Sequence, residues 1–312
     1  MYRFDENSTV CFFGDSITAN GTWIRRIYDH YRKVEKIPCK MYNCGVPGDG
    51  ATKARFRMED TVFIHDPTDV VIMFGMNDVG VDLYDGRAVD STTALERRRR
   101  IDSAVDSIRE IADKCVKRGI RVIFCTPTLC DELAINGTRL IRGASAALRE
   151  IGDRLRAISS AYGGNVVDFS TGFDDMIHKL YKTDHVMIRE DRVHPLSEGH
   201  EYMAQLFLKA QGFDVAVSDT YDELVKLTQL PYDEWEEKRY ELEQVAIADG
   251  YVRWDLCFGK ADDKVIADYL AYLRSTTDNQ YVMKRIDGYA QDRENAVKAR
   301  SELKAYMENV KI

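Results

Sequence analysis

Val10-Cys-Phe-Phe-Gly-Asp-Ser-Ile-Thr18 is the stretch on which the reading of this chain turns. Val10 to Phe13 is a short apolar run, long enough for one buried strand. Gly14 breaks it, Asp15 and Ser16 stand at the exit, and Trp23 to Val34 reads as an amphipathic helix. A serine at a strand-to-helix turn carries its hydroxyl on the rim of a sheet. Beside it lie the N–H groups that open the helix, which have no intrahelical partners and can hold negative charge. A nucleophile needs this geometry: an exposed Oγ and donors for the oxyanion it creates. A helix cap needs it too, with Asp15 or Ser16 simply closing the helix start. The other strand exits have to decide between the two.

Working outward, the first two-thirds of the chain alternates strand and helix. Strands are expected at Val10–Phe13, Lys40–Asn43, Asp69–Phe74, Arg121–Thr126 and Val166–Asp168. Their apolar parts are short and nearly continuous, as in strands covered on both faces. Helical patterns fall at Trp23–Val34, Ala51–Phe63, Thr92–Arg118, Thr138–Tyr162 and Pro195–Ala210. In the third, Ile101, Val105, Ile108, Ala112 and Cys115 form one apolar stripe, which Gly119 ends. Such alternation predicts an α/β fold with a mostly parallel five-stranded sheet between helical layers. Ligands of such sheets sit at the carboxyl ends of the strands. After Gly212 the character changes: Pro231–Ala248, Asp262–Ser275 and Tyr281–Val310 look helical, with little strand pattern. The chain is therefore divided into an α/β catalytic domain at 1–214 and a helical extension at 215–312, packed on the body or used for homo-oligomerisation.

Composition narrows the class. The 312 residues are 45% hydrophobic and 31% charged, which suits a soluble globular protein with a sizeable core. A net charge of -8 argues against a nucleic-acid partner, since phosphate binding needs a basic surface. The basic run Arg97–Arg100 lies in a helical pattern and reads as a solvated face. No window is apolar enough to span a bilayer, and Met1 to Asn7 is polar without a signal-peptide core. A cytoplasmic protein without membrane insertion is expected. Seven cysteines include no C-x-x-C pair and are read as reduced.

The strand exits carry the chemistry. Gly14-Asp15-Ser16 follows the first strand, Asn43-Cys-Gly-Val-Pro-Gly48-Asp-Gly50 the second and Gly75-Met-Asn77-Asp78 the third. Asp191-Arg-Val-His194-Pro precedes the last α/β helix. A parallel sheet brings all four to one rim. A glycine loop lets a backbone N–H approach a ligand closely; its G-x-x-G-x-G order is not a dinucleotide fingerprint, and no G-K-S/T follows for a P-loop. Asn77 offers an amide donor, His194 a general base, and Asp191 an acceptor that can fix the imidazole tautomer.

These four blocks, in this order, resemble the SGNH/GDSL hydrolase superfamily over residues 8 to 212. The resemblance implies a flavodoxin-like three-layer α/β/α sandwich, in agreement with the alternation. It implies Ser16 as nucleophile, Gly48 and Asn77 as oxyanion donors beside the N–H of Ser16, and His194 with Asp191 as base and orienter. Asp15 and Asp78 are supporting residues. The expected function is a serine-dependent ester hydrolase forming an acyl-serine, without metal or cofactor. Its partner is a small-molecule ester, such as an acetylated carbohydrate. Lysophospholipase or thioesterase activity, and a non-catalytic scaffold on the same fold, are the alternatives. A nucleotide-binding flavodoxin-like protein is disfavoured, because the first loop is short and acidic.

Specificity is expected from the loops Val79–Ser91, Pro127–Gly137 and His178–Arg189. Asp82, Tyr84, Asp85 and Arg87 form a polar set, while Leu129, Cys130, Leu133 and Ile135 suit an acyl pocket. The remaining histidines read as bystanders. His30 belongs to the first helix, His65 to a turn and His200 to a surface position, and His178 and His185 lie with Asp184 in a solvated loop.

Overall fold

The structure, a computed structural model, describes residues 2–134 and 137–228, with four single positions beyond them (Ala271, Ser275, Asp287 and Gln291). The helices expected at Pro231–Ala248, Asp262–Ser275 and Tyr281–Val310 lie outside the described residues, save those four positions.

Five strands form one sheet: β1 (Thr9–Gly14), β2 (Lys40–Asn43), β3 (Asp69–Met73), β4 (Arg121–Cys125) and β5 (Val166–Val167). All pairings are parallel and the order is β2-β1-β3-β4-β5, the flavodoxin-like order, which reverses direction beside β1. The β1 to β3 register sets Gly14 opposite Met73, so the chain leaves both strands at one level. The order follows from the chain's crossovers. Parallel connections as a rule are right-handed, which sends the helices before β2 and those after it to opposite faces.

The helices are α1 (Ser16–Asn20), α2 (Thr22–Asp29), α3 (Ala51–Ala54), α4 (Met58–Thr61) and α5 (Ser91–Val116), then α6 (Ala144–Ser159), α7 (Phe169–Leu180), α8 (Ser197–Ala210) and α9 (Tyr221–Thr228). α2 packs with α8, while α3 and α6 pack with α5. Under α2 an aromatic cluster joins Trp23 edge-on to Phe12 of β1, Phe169 of α7 and Phe207 of α8, at 5.2, 5.6 and 6.0 Å between ring centroids. All four rings are fully buried, each worth about 1.5–3 kcal/mol in burial and more through edge-to-face contact. They fix the base of the strand from which Ser16 emerges.

Several boundaries differ from the sequence expectation. The helix expected at Ala51–Phe63 is broken into α3, α4 and a 3-10 turn (Phe63–His65). The break falls at Arg55–Arg57, where Arg57 turns inward onto the sheet edge. The last turn of the first long helix, His30–Val34, is π-helical. α6 begins only at Ala144, after Gly143 at φ 86°, because the segment before it is held elsewhere: Thr138 donates its N–H to the Glu190 carbonyl. α7 is a helix the sequence reading did not include. Phe169, Phe173, Met176 and Ile177 give it a buried face, and Asp168 caps it by accepting from the Thr171 N–H. Central Gly172 obscures this pattern; it lies against Leu206 and Tyr202 of α8, where a Cβ would collide. α9 packs on α8, and its Leu224 is fully buried. The described start of the expected extension, up to Thr228, thus packs on the body. The six described cysteines are buried, and none is in a disulfide. No helix among the described residues is long and apolar enough to cross a membrane.

Candidate active site

Ser16 is the first residue of α1, directly after Asp15 at the end of β1. Asp15 is extended (φ -98°, ψ -151°) and its carboxylate accepts from the Ile17 N–H at 3.0 Å, so it is the helix cap. That leaves the Ser16 hydroxyl uncommitted to capping. It lies 2.8 Å from His194 Nε2. His194 Nδ1 in turn lies 2.7 Å from Asp191 Oδ2. The other carboxylate oxygen, Oδ1, accepts from the N–H groups of Val193 at 2.9 Å and His194 at 3.0 Å. An aspartate bonded to the backbone two and three residues on is the turn that this spacing favours. Here it also aims the acid at the ring. Partial burial acts to raise the Asp191 pKa. The two backbone donors, the imidazole hydrogen bond and its charge outweigh that, and the net shift is downward. Asp191 is therefore favoured as an anion facing Nδ1, while Nε2 faces the Ser16 hydroxyl.

Arg192 braces this loop. It adopts φ 65°, which costs a side-chain-bearing residue about 1–2 kcal/mol, and its buried guanidinium donates to the carbonyls of Asp131 at 2.9 Å and Ala134 at 2.8 Å. The Asp131 N–H returns a bond to the Arg192 carbonyl. The loop is thereby tied to the segment after β4.

The loop after β2 is explained residue by residue. Asn43 donates to the Thr18 and Ala19 carbonyls at the end of α1 and accepts from the Gly45 N–H. Gly48 sits at φ 75° with open space where a Cβ would project, a backbone setting natural to glycine. Gly50 faces Asp78, whose oxygens accept from the N–H groups of Ala51 at 3.1 Å and Thr52 at 3.4 Å. A Cβ at Gly50 would lie 2.7 Å from Asp78 Oδ1. Asp78 thus caps α3 from the next loop. Asn77 donates Nδ2 to the Asp49 carbonyl at 2.7 Å, which leaves the second hydrogen of its amide for another acceptor.

One guanidinium joins these loops, and no residue pattern near it points to that role. Arg57 donates to Asp49 Oδ2 at 2.7 Å, the Cys44 carbonyl at 2.9 Å, Thr61 Oγ1 at 3.1 Å and the Gly14 carbonyl at 3.2 Å. It also lies over the Phe13 ring at 4.5 Å. The ends of β1 and β2 and the glycine loop are therefore held by one side chain.

Three carboxylates, Asp15, Asp49 and Asp78, crowd behind the site. Burial, and secondarily the charges of Asp78 and Asp49, push Asp15 up to about 7 against the relief of the Ile17 N–H. Burial also raises Asp78, partly offset by the N–H groups of Ala51 and Thr52. Arg57 neutralises Asp49.

Other expectations fare differently. His200 is not a surface residue: it is buried in α8, and burial, with the charges of Arg189 and His194, lowers its pKa to about 3. His178 belongs to α7 rather than to a loop. His185 stacks on Tyr221 of α9 at 4.4 Å. Leu129 and Cys130 are core residues at 1% and 2% exposure and line no open acyl pocket; Ile135 lies outside the described residues. Tyr84 is buried beneath the Arg97 guanidinium, and Arg97 donates to the Leu83 carbonyl. Arg97 is thus a packing residue and not part of a solvated face. Among the described residues no group of three or more His, Cys, Asp or Glu side chains could hold a metal ion.

Comparison with known proteins bears on the family and the fold. Residues 12–202 match the model of the GDSL-like Lipase/Acylhydrolase family. The chain belongs to that family. The match runs from within β1 to within α8 and so spans Ser16 to His194. An acetylxylan esterase of Geobacillus stearothermophilus is 25% identical over 181 residues, 57% of this chain and 75% of that protein. The solved structure of a gut microbial diltiazem-metabolizing enzyme superposes with a TM-score of 0.63 at 25% identity, covering 68% of this chain; the chain spans about half (48%) of that enzyme. The Geobacillus acetylxylan esterase Axe2 superposes with a TM-score of 0.55 at 21% identity over 68% of this chain and 97% of that one, a likeness of fold. The family and the α/β/α architecture expected from the four blocks are both found.

Proposed function

We propose that the protein hydrolyses carboxylic esters through an acyl-serine intermediate, with Ser16 as nucleophile, His194 as base and Asp191 as its orienter. The observation that carries this reading is the unbroken chain from Ser16 Oγ to His194 Nε2 at 2.8 Å and from His194 Nδ1 to Asp191 Oδ2 at 2.7 Å. Ser16 Oγ attacks the ester carbonyl carbon as Nε2 takes its proton. The carbonyl π electrons move to oxygen, and that oxyanion is received by N–H groups of Ser16 and Gly48 and the amide of Asn77. Collapse of the tetrahedral intermediate breaks the bond to the alkoxy oxygen, which leaves as an alcohol with the proton from Nε2. Water then attacks the acyl-serine, giving its proton to His194, and Ser16 leaves with that proton restored. Asp191 stays ionised throughout and stabilises the transient imidazolium.

An acetylated carbohydrate is the substrate class we favour. The acetylxylan esterase relative supports it, as does a polar rather than greasy cavity beside Gly48 and Asn77. Asp15 and Asp78 act as supports of the loop geometry. Residues 1–214 are the catalytic unit of a cytoplasmic protein in this reading.

The test is Ser16→Ala assayed on p-nitrophenyl acetate and on acetylated xylo-oligosaccharides, with a fluorophosphonate label on the wild type. Hydrolysis by the wild type, labelling at Ser16, and loss of both in a folded variant are expected. Retained turnover in Ser16→Ala would overturn the assignment.

A further inference from the structure

Between α3 and α5 lies a cavity of about 670 Å3 whose wall includes Gly48 and Asn77. It therefore adjoins the rim at which the ester is proposed to react, and its size falls within the range of ligand sites. Its charge is unusual for this chain. The protein carries a net -8, yet the wall holds four cations, Lys53, Arg55, Arg99 and Arg100, against two carboxylates, Asp78 and Asp106.

The cations are also short of partners. Glu96 receives both nitrogens of the Arg99 fork at 2.8 Å and Arg100 Nε at 2.8 Å, so one carboxylate serves two guanidiniums. Glu110 is likewise shared between Arg55 and Lys114, each at 2.9 Å. Neither glutamate stands on the cavity wall. Lys53 has no carboxylate partner among the described residues. Arg100 is further fixed against Gly80, three residues after Asn77, where a Cβ would lie 2.5 Å from its Nη1. The result is a wall with surplus positive charge, on which the Lys53 ammonium and the Nη edge of Arg100, not engaged by Glu96, can receive a carboxylate.

We propose that this cavity is a subsite for the carboxylate of an acidic sugar, so that the preferred ester is an O-acetylated uronic-acid-bearing glycan rather than a neutral one. This rests on the esterase reading above and adds the charge of the substrate to it. The acetyl ester reacts at Ser16 while the acid group, on the sugar beyond the ester, is held by Lys53 and the Arg99–Arg100 wall.

The experiment compares O-acetylated methyl glucuronide with O-acetylated methyl glucoside on the wild type, Lys53→Glu and the double variant Lys53→Glu/Arg99→Glu. p-Nitrophenyl acetate is the uncharged control, and melting points check the fold. The wild type should show a kcat/KM for the glucuronide about tenfold or more above the glucoside, the scale of one charge-assisted hydrogen bond. The advantage should shrink with added salt and vanish in the double variant, while p-nitrophenyl acetate turnover stays at the wild-type level. Equal values for the two sugars, or a preference that survives both substitutions, would overturn the proposal. Titration calorimetry of glucuronate against glucose separates the two readings. If the wild type cleaves no ester, the esterase reading fails, and glucuronate binding lost in Lys53→Glu still supports the subsite. Absence of glucuronate binding by the wild type overturns it.

Discussion

Arg57→Ala removes a side chain on which the exits of β1 and β2 and the glycine loop converge. Its partner Asp49 is 8% exposed at the side chain and Arg57 itself 15%. Removing one member of a buried, hydrogen-bonded ion pair costs about 3–5 kcal/mol, because the other is left desolvated and unpaired. Water can reach Asp49 where the guanidinium was, which sets the loss near 3 kcal/mol, the low end of that range. In a domain of this size each kcal/mol moves Tm by about 2–4 °C, so the variant should melt about 6–12 °C lower. The effect on turnover is separate. Asp49 is held by Arg57 through its side chain and receives Asn77 Nδ2 at its carbonyl. Once Asp49 is free to move, Gly48 and Asn77 lose their register with Ser16, and a misplacement of about 1 Å costs ~10²-fold. The expected result in steady-state assay of p-nitrophenyl acetate is kcat lowered by ~10² with KM little changed. Arg57→Lys keeps the charge but not the planar fork and should recover melting point more than turnover. Wild-type kcat in Arg57→Ala, measured well below its melting point, would refute the reasoning.

Two further outcomes follow from the site. Burial holds Asp15 protonated to about pH 7 in the fold, against an ordinary value of 3.8. Below pH ~4 both states bind the proton and nothing is gained or lost. Between pH ~4 and ~7 the unfolded chain ionises first, so the wild type is destabilised by roughly 4 kcal/mol over that window. Asp15→Asn keeps an acceptor for the Ile17 N–H and does not titrate. Its melting point relative to wild type should therefore rise from pH 4 to pH 8, and parallel melting curves across that range would reject the cause. Asn77→Ala should lower kcat by ~10²–10³ with KM nearly constant, because its amide acts on charge that exists only in the transition state; a pure rise in KM would place Asn77 in ground-state binding instead.

How much was legible in advance depended on the reach of each interaction. Val10–Phe13, Val70–Met73 and Val122–Cys125 are uninterrupted apolar segments, and burial on both faces requires that pattern. Asp191 meets His194 within one turn of chain, so three residues of spacing disclose the contact. α7 was missed because Gly172 and several short polar residues dilute its stripe, although Phe169, Phe173, Met176 and Ile177 carry it. His200 looked like a surface residue because nothing in its neighbours' sequence reveals that α8 is covered by α2 on one side and α9 on another.

The order of residue types along the chain was enough, by itself, to determine the α/β alternation, the rim on which Ser16, Gly48, Asn77 and His194 lie, and the family. These follow from strand burial and local turn chemistry, which act over a few residues. Only the folded chain decided that Arg57 would bind Gly14, Cys44 and Asp49 together, that Asp15 would be buried against Asp78 and Asp49, and that Lys53, Arg55, Arg99 and Arg100 would line one cavity. Those groups come from separate elements. Their energies depend on distance and on exclusion of water, quantities that exist only once the sheet has been assembled.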